Sequence, residues 1–169
     1  MIRADQHLVL VGMMGVGKST VARVLAQRLG REILDTDAII ETRTGRSVRE
    51  IFSTDGEPQF RSIESEVFRD ALAAPEPAII VAGGGVVLSA SNRVASRAAV
   101  ARVVWLCAEP TTLVERVQSG QHRPLLDDDP AGTLNRMCAE REPLYREVAD
   151  AIVRVDHRSV HEVAEAVLR

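Results

Sequence analysis

The chain has 169 residues, 46% of them hydrophobic and 27% charged, with a formal net charge of −3. This is the make-up of one ordinary globular domain, large enough to fold around its own core without disulfides or zinc. The slight acidic excess and the lack of a basic tract argue against binding nucleic acid through bulk charge, and no apolar run has the length of a membrane span. Cys107 and Cys138 lie far apart, with no C-x-x-C and no metal-ligand spacing. The expectation is a buried thiol at Cys107 and a reducing, cytoplasmic setting. The N-terminal MIRADQHLVLVG carries too short an apolar run for a signal segment.

HLVLV, residues 7–11, is a short apolar run ended by Gly12 and predicts a buried strand. From Ser19 the period changes: Val21, Val24, Leu25 and Leu29 share a helical face, and Gly30 stops the helix. EILD, residues 32–35, predicts a second strand. Short helical pieces follow over 38–44 and 48–52, broken at Gly45. The Asp55-Gly56 turn leads into a helix with Pro58 in its first turn. Phe60, Ile63, Val67, Phe68 and Leu72 recur along it, and Pro75 and Pro77 close it. PAIIVAGGG, residues 77–85, is a third strand running into glycines. Residues 89–99 predict a helix, RVVWLC at 102–107 a fourth strand, and 110–117 a helix. SGQHRPLLDDDPAG, residues 119–132, has no period and many breakers, and predicts a long surface loop of the kind that serves as a lid. A helix over 133–148, adjusted at Pro143, a fifth strand at 151–155 and a helix over 160–168 complete the chain. Strands alternating with helices predict an α/β fold, a three-layer sandwich in which helices flank a five-stranded parallel sheet. There is no internal repeat, linker or low-complexity tract, so one domain spans 1–169.

Gly12-Met13-Met14-Gly15-Val16-Gly17-Lys18-Ser19 fits G-x-x-x-x-G-K-[ST] at every required position. It follows a predicted strand and opens an amphipathic helix. In that setting the glycines let backbone N–H groups turn inward around phosphate oxygens, and the helix N-terminus adds partial positive charge. Lys18 is expected to reach the β- and γ-phosphates and Ser19 to ligate Mg²⁺. The alternative, a Gly-rich turn with a surface lysine, is disfavoured by the flanking strand and helix.

Such a loop needs a carboxylate as well, to hold the metal directly or through water. IIVAGGG ends in glycines and RVVWLCAE in Ala-Glu, whereas EILD ends in Asp35, the metal-side candidate. Asp37, two residues on, would face the same side in extended chain. There it could orient an acceptor hydroxyl and take its proton. The competing possibility is that Thr36 or Asp37 caps a helix starting at Ala38, and the two roles are compatible.

Gly83-Gly84-Gly85 ends a buried strand where a parallel sheet binds ligands, although a loose turn would read the same way. Arg61 lies off the apolar stripe of its helix, and Glu64, three residues on, can pair with it. Arg141 precedes Pro143, Leu144 and Tyr145, and Arg123 sits in the lid-like loop beside Pro124. Taken singly, each arginine would be an ordinary surface charge. As a set they suit a carboxylate, and a lid arginine suits the charge on a transferring phosphoryl group.

In order from Gly12 to Tyr145, the chain carries G-x-x-G-x-G-K-S-T, L-D-T-D, T-D-G-E-x-x-F-R-x-x-E, G-G-G, R-P-L-L and R-x-P-L-Y. This combination resembles the shikimate kinase family. The resemblance implies a P-loop NTP hydrolase fold of nucleoside-monophosphate-kinase type. It implies a cytoplasmic monomer with a lid at about 119–132 and a substrate-binding segment at about 36–64, whose partners are ATP and shikimate rather than nucleic acid or membrane. The implied reaction moves the γ-phosphate of ATP to the 3-hydroxyl of shikimate, on the route to chorismate and the aromatic amino acids. By the same resemblance, Gly15, Val16, Gly17, Lys18, Ser19 and Thr20 cradle the nucleotide, and Ser19 with Asp35 serves Mg²⁺. Asp37 takes the proton of the reacting hydroxyl and is catalytic together with Lys18 and Arg123, which also reaches the nucleotide phosphates. Arg61 and Arg141 hold the shikimate carboxylate, Gly83, Gly84 and Gly85 line the acceptor site, and Glu64 steadies Arg61. For adenine, VDHRSVHE at 155–162 offers Arg158.

Rival acceptors are gluconate and a nucleoside monophosphate. A base pocket commonly stacks on aromatics, and the chain is 3% aromatic, which disfavours the nucleotide. A GTPase-type switch would carry N-K-x-D, which is absent. A nucleic-acid-processing ATPase is disfavoured by charge. His7, His157 and His161 read as structural or surface groups, and His122, beside Arg123, as at most a nucleotide contact.

Overall fold

A computed structural model describes residues 2–119 and 129–169. Its frame is the predicted parallel sheet, five strands in the order β2-β3-β1-β4-β5. β1 (His7–Val11) is buried along its whole length, which is why it reads as an unbroken apolar run. It pairs with β3 (Ile79–Val81) on one side and β4 (Ala101–Cys107) on the other. β2 (Ile33–Asp35) and β5 (Ala151–Arg154) form the edges. The chain therefore leaves β1 toward β2 and β3, then crosses to β4 and β5. Ligands bind where the strand order reverses in this way, at the carboxyl ends.

Helices α1 (Lys18–Leu29) and α8 (Val160–Leu168) pack together on one face of the sheet. α4 (Glu57–Leu72), α5 (Ala90–Ala98) and α7 (Pro130–Val148) form the other layer, with α6 (Pro110–Gln118) against α7. The main core runs through both interfaces. Gly12 keeps the turn after β1 close to β4, since a Cβ there would overlap the Leu106 carbonyl. A separate small core of Ile40, Ile51, Phe60 and Val67 joins α2 (Thr36–Thr44) and α3 (Val48–Asp55) to α4. The predicted acceptor segment thus has packing of its own.

Two helix starts and one added turn differ most from the sequence expectation. α2 starts at Thr36, directly after β2, because the Asp35 side chain caps it. α7 starts at Pro130, inside the predicted loop, with Asp129 accepting from the Gly132 N–H. A 3-10 turn, Val86–Leu88, follows the glycines. Pro143 lies within α7 without ending it. Arg123 and His122 fall outside the described residues.

Candidate active site

At the head of α1, Gly17 adopts a left-handed φ of 96°, and the first turn has neither a capping side chain nor an acidic residue. Its N–H groups and the helix dipole are therefore left to an anion. Lys18 folds across the loop, its Nζ donating to the carbonyls of Gly12 and Met13 at 2.7 and 3.2 Å. Arg116, from α6, donates to the Gly15 and Val16 carbonyls at 3.3 Å each. The loop is braced by cations on its carbonyl side.

Ser19 Oγ lies 3.2 Å from Asp35 Oδ2. The other oxygen of Asp35 accepts from the N–H groups of Asp37 and Ala38 at 3.1 and 3.3 Å. One carboxylate thus caps α2 and also faces the phosphate loop. The cap is Asp35, not Thr36 or Asp37. Asp37 consequently sits in the first helical turn, not in extended chain, and it turns toward Gly83: a Cβ there would lie 3.2 Å from Asp37 Oδ1 and 2.5 Å from Glu64 Oε2. Thr36, fully buried, accepts from the Gly83 N–H at 3.0 Å and ties the two segments together. Among the described residues no three His, Cys, Asp or Glu side chains gather as a ligand set. A serine hydroxyl beside one carboxylate does fit Mg²⁺, which takes few protein oxygens and keeps water and phosphate oxygens. It does not fit zinc.

The acceptor end is built on α4 and α7. Arg61 Nη1 donates to Glu64 Oε1 at 2.8 Å, and its Nε and Nη2 donate to Glu57 Oε1 at 3.2 and 3.1 Å. The guanidinium lies 5.9 and 5.3 Å from the ring centroids of Phe52 and Phe60. Burial pulls its pKa down, but Glu64 and Glu57 outweigh that and hold it charged. Glu64 is 2% exposed. Burial pushes its carboxyl above the ordinary range, and Asp37 adds to this, while Arg61 and Arg141 oppose it. Arg141 is 3% exposed, and among the described residues its Nε has no hydrogen-bond partner. A buried cation with an unmet donor is costly unless an anion reaches it, and a guanidinium matches a carboxylate in particular.

These groups share one cavity of about 770 Å³, with Lys18, Ser19 and Asp35 toward one end and Asp37, Arg61 and Arg141 toward the other. Gly15, Gly17, Thr20, Glu64 and the three glycines Gly83, Gly84 and Gly85 also line it. Val16 does not: its side chain is core, 2% exposed. Arg158 is not in the wall either; its N–H donates to Val155. Sequence reasoning missed Arg116, Thr36, Phe52 and the hydroxyl of Tyr145, which donates to the Gly84 carbonyl. For Thr36 a signal existed: it stands between two aspartates assigned to the site, which leaves its own side chain to turn inward. For Arg116 there was none.

A profile of the shikimate kinase family matches residues 14–169. A shikimate kinase of Symbiobacterium thermophilum is 44% identical over 165 residues, covering 96% of this chain and 94% of the relative. One of Halorhodospira halophila is 41% identical over 169 residues, covering 98% and 93%. The solved structure of shikimate kinase from Acinetobacter baumannii in complex with shikimate matches with a TM-score of 0.91 at 35% identity, over 96% of this chain and 90% of that one. The family match runs from within the phosphate loop through α2, α3 and α4 to the final helix, and the chain belongs to the shikimate kinase family.

Proposed function

We propose that this enzyme transfers the γ-phosphoryl group of ATP to the 3-hydroxyl of shikimate, giving ADP and shikimate 3-phosphate on the route to chorismate. The observation that carries this reading is the acceptor end of the cavity. Arg141 and Arg61 stand against the neighbouring glycines Gly84 and Gly85, and Asp37 stands against Gly83. Two guanidiniums suit one carboxylate, and a carboxylate beside them suits a hydroxyl that must lose its proton. The A. baumannii relative is solved with shikimate.

Asp37 orients the acceptor hydroxyl and takes its proton as the new O–P bond forms and the bond to ADP breaks. Lys18 leaves the Gly12 and Met13 carbonyls for the phosphates and follows the charge as it develops. Ser19 and Asp35 would hold Mg²⁺, which supplies neutralisation of the phosphate oxygens when bound with nucleotide. Glu64 keeps the Arg61 fork aimed at the acceptor. Segment 119–132, with Arg123, is assigned the part of a lid over the nucleotide, and 36–64 that of the acceptor segment. Arg158 is assigned to the adenine side on family resemblance alone. The protein is read as a cytoplasmic monomer that binds neither nucleic acid nor membrane; among the described residues no helix is long and apolar enough to cross one.

The test is ADP release from Mg-ATP with shikimate, gluconate or a nucleoside monophosphate as acceptor. Release should require shikimate. Asp37→Asn should keep nucleotide affinity and lose roughly 10²- to 10⁴-fold in turnover, the usual weight of a positioned base. Release with another acceptor, or with none, overturns the substrate. A variant within a few-fold of wild type overturns the role of Asp37.

A further inference from the structure

Tyr145 is 1% exposed, yet its hydroxyl reaches the acceptor site and donates to the Gly84 carbonyl. Its ring is stacked on Trp105 of β4 at 5.6 Å between centroids, and Arg146 lies 5.2 Å over the far ring of that pair. The phenol is thus clamped by packing and has little freedom to choose another partner. Burial pushes it well above the ordinary phenol range, against the pull of Arg141, so it remains a donor across working pH.

A trans peptide is planar, and its C=O and N–H point in opposite directions. Fixing the Gly84 carbonyl toward α7 therefore turns the Gly85 N–H away from α7. Gly84 and Gly85 both line the cavity. Among the described residues neither donates its N–H to protein, so both donors are left to a ligand. Arg141 stands one helical turn before Tyr145, and its Nη1 would meet a Cβ on Gly84 at 3.5 Å. One face of α7 thereby carries a guanidinium for the acceptor and a hydroxyl for the peptide that faces it.

We propose that Tyr145 is a positioning residue for the acceptor: by holding the Gly84 carbonyl it fixes the peptide that follows and presents the Gly85 N–H to the oxygens of the substrate. This rests on the acceptor reading given above. Tyr145→Phe keeps the ring and its stacking and removes the hydrogen bond to Gly84 together with the hydroxyl's contact with Arg141, so the Gly85 amide is the readout specific to the peptide. The expected result is a rise in KM for shikimate of about threefold to tenfold, the net worth of one hydrogen bond, with KM for ATP unchanged. In amide NMR spectra of the same variant, Gly84 and Gly85 should shift, and Gly15 and Gly17 should not. Unmoved Gly84 and Gly85 amides overturn the proposal. So does a fall in melting temperature with KM for shikimate unchanged, or an equal rise in KM for both substrates. If the wild-type protein turns over no shikimate, the reaction assigned above falls, and the amide shifts alone decide whether Tyr145 anchors the peptide.

Discussion

Gly85 and Arg61 compete for the same space. Gly85 has φ −94° and ψ 1°, a conformation open to any residue, so its lack of a side chain serves room and not backbone freedom. A Cβ there would overlap the Arg61 guanidinium. Gly85→Ala should therefore push Arg61 off Glu64, at the cost of about 1–3 kcal/mol typical of overpacking, and raise KM for shikimate about tenfold or more with KM for ATP unchanged. Equal effects on both substrates would contradict this. Glu64 gives a pH signature. Its carboxyl sits above the ordinary 4.5 because of burial, so the folded protein binds this proton more tightly than the unfolded chain. Its contribution to stability is full below 4.5 and is lost as pH rises through the raised folded value. Glu64→Gln has no such slope. Melting temperatures of the two proteins across this range should show the wild-type advantage shrinking as pH rises; a growing advantage would mean that pairing with Arg61 outweighs burial.

Two helices are closed by the same device and differ in where they sit. Ser47 and Ser159 each form a capping box, with Glu50 and Glu162. Either serine changed to alanine should cost about 1 kcal/mol of stability. α3 carries Phe52 into the cavity and contributes Ile51 to the small core, whereas α8 packs on α1 behind the sheet. Only Ser47→Ala should raise KM for shikimate; a matching rise in Ser159→Ala would show that global softening, not the acceptor segment, controls it. At this scale most elements were legible from periodicity, but their starts were not. The start of α7 was signalled by Asp129-Pro130, a capping residue followed by proline at the first helical position, and the run of breakers around it hid the signal. The start of α2 was not legible, because Asp35 ends a strand, caps a helix and meets Ser19 all at once, and of these the cap was not read.

At the scale of the whole molecule, the site lies where the strand order reverses, between a phosphate loop anchored in the main core and a segment, α2 to α4, with a core of its own. The parallel sheet followed from alternating strands and helices. The strand order did not, since each strand is a short apolar run with nothing to specify its neighbour. Lys18, Asp35, Asp37, Arg61 and Arg141 were legible because their chemistry demands those side chains within motifs. Tyr145 and Arg116 were not, because their roles lie in contacts with backbone carbonyls 61 and about 100 residues away. Selectivity in this site turns on the buried Arg141 and the half-buried Arg61 reading a carboxylate on the acceptor. The measurement that tests it most directly is kcat/KM for shikimate and for its methyl ester, in wild type and in Arg141→Met. Charged hydrogen bonds of this kind are worth about 1.5–3 kcal/mol each, so the ester should cost wild type about tenfold to a hundredfold, and the variant, having already lost the contact, far less. The same penalty in both proteins would show that Arg141 does not hold the carboxylate.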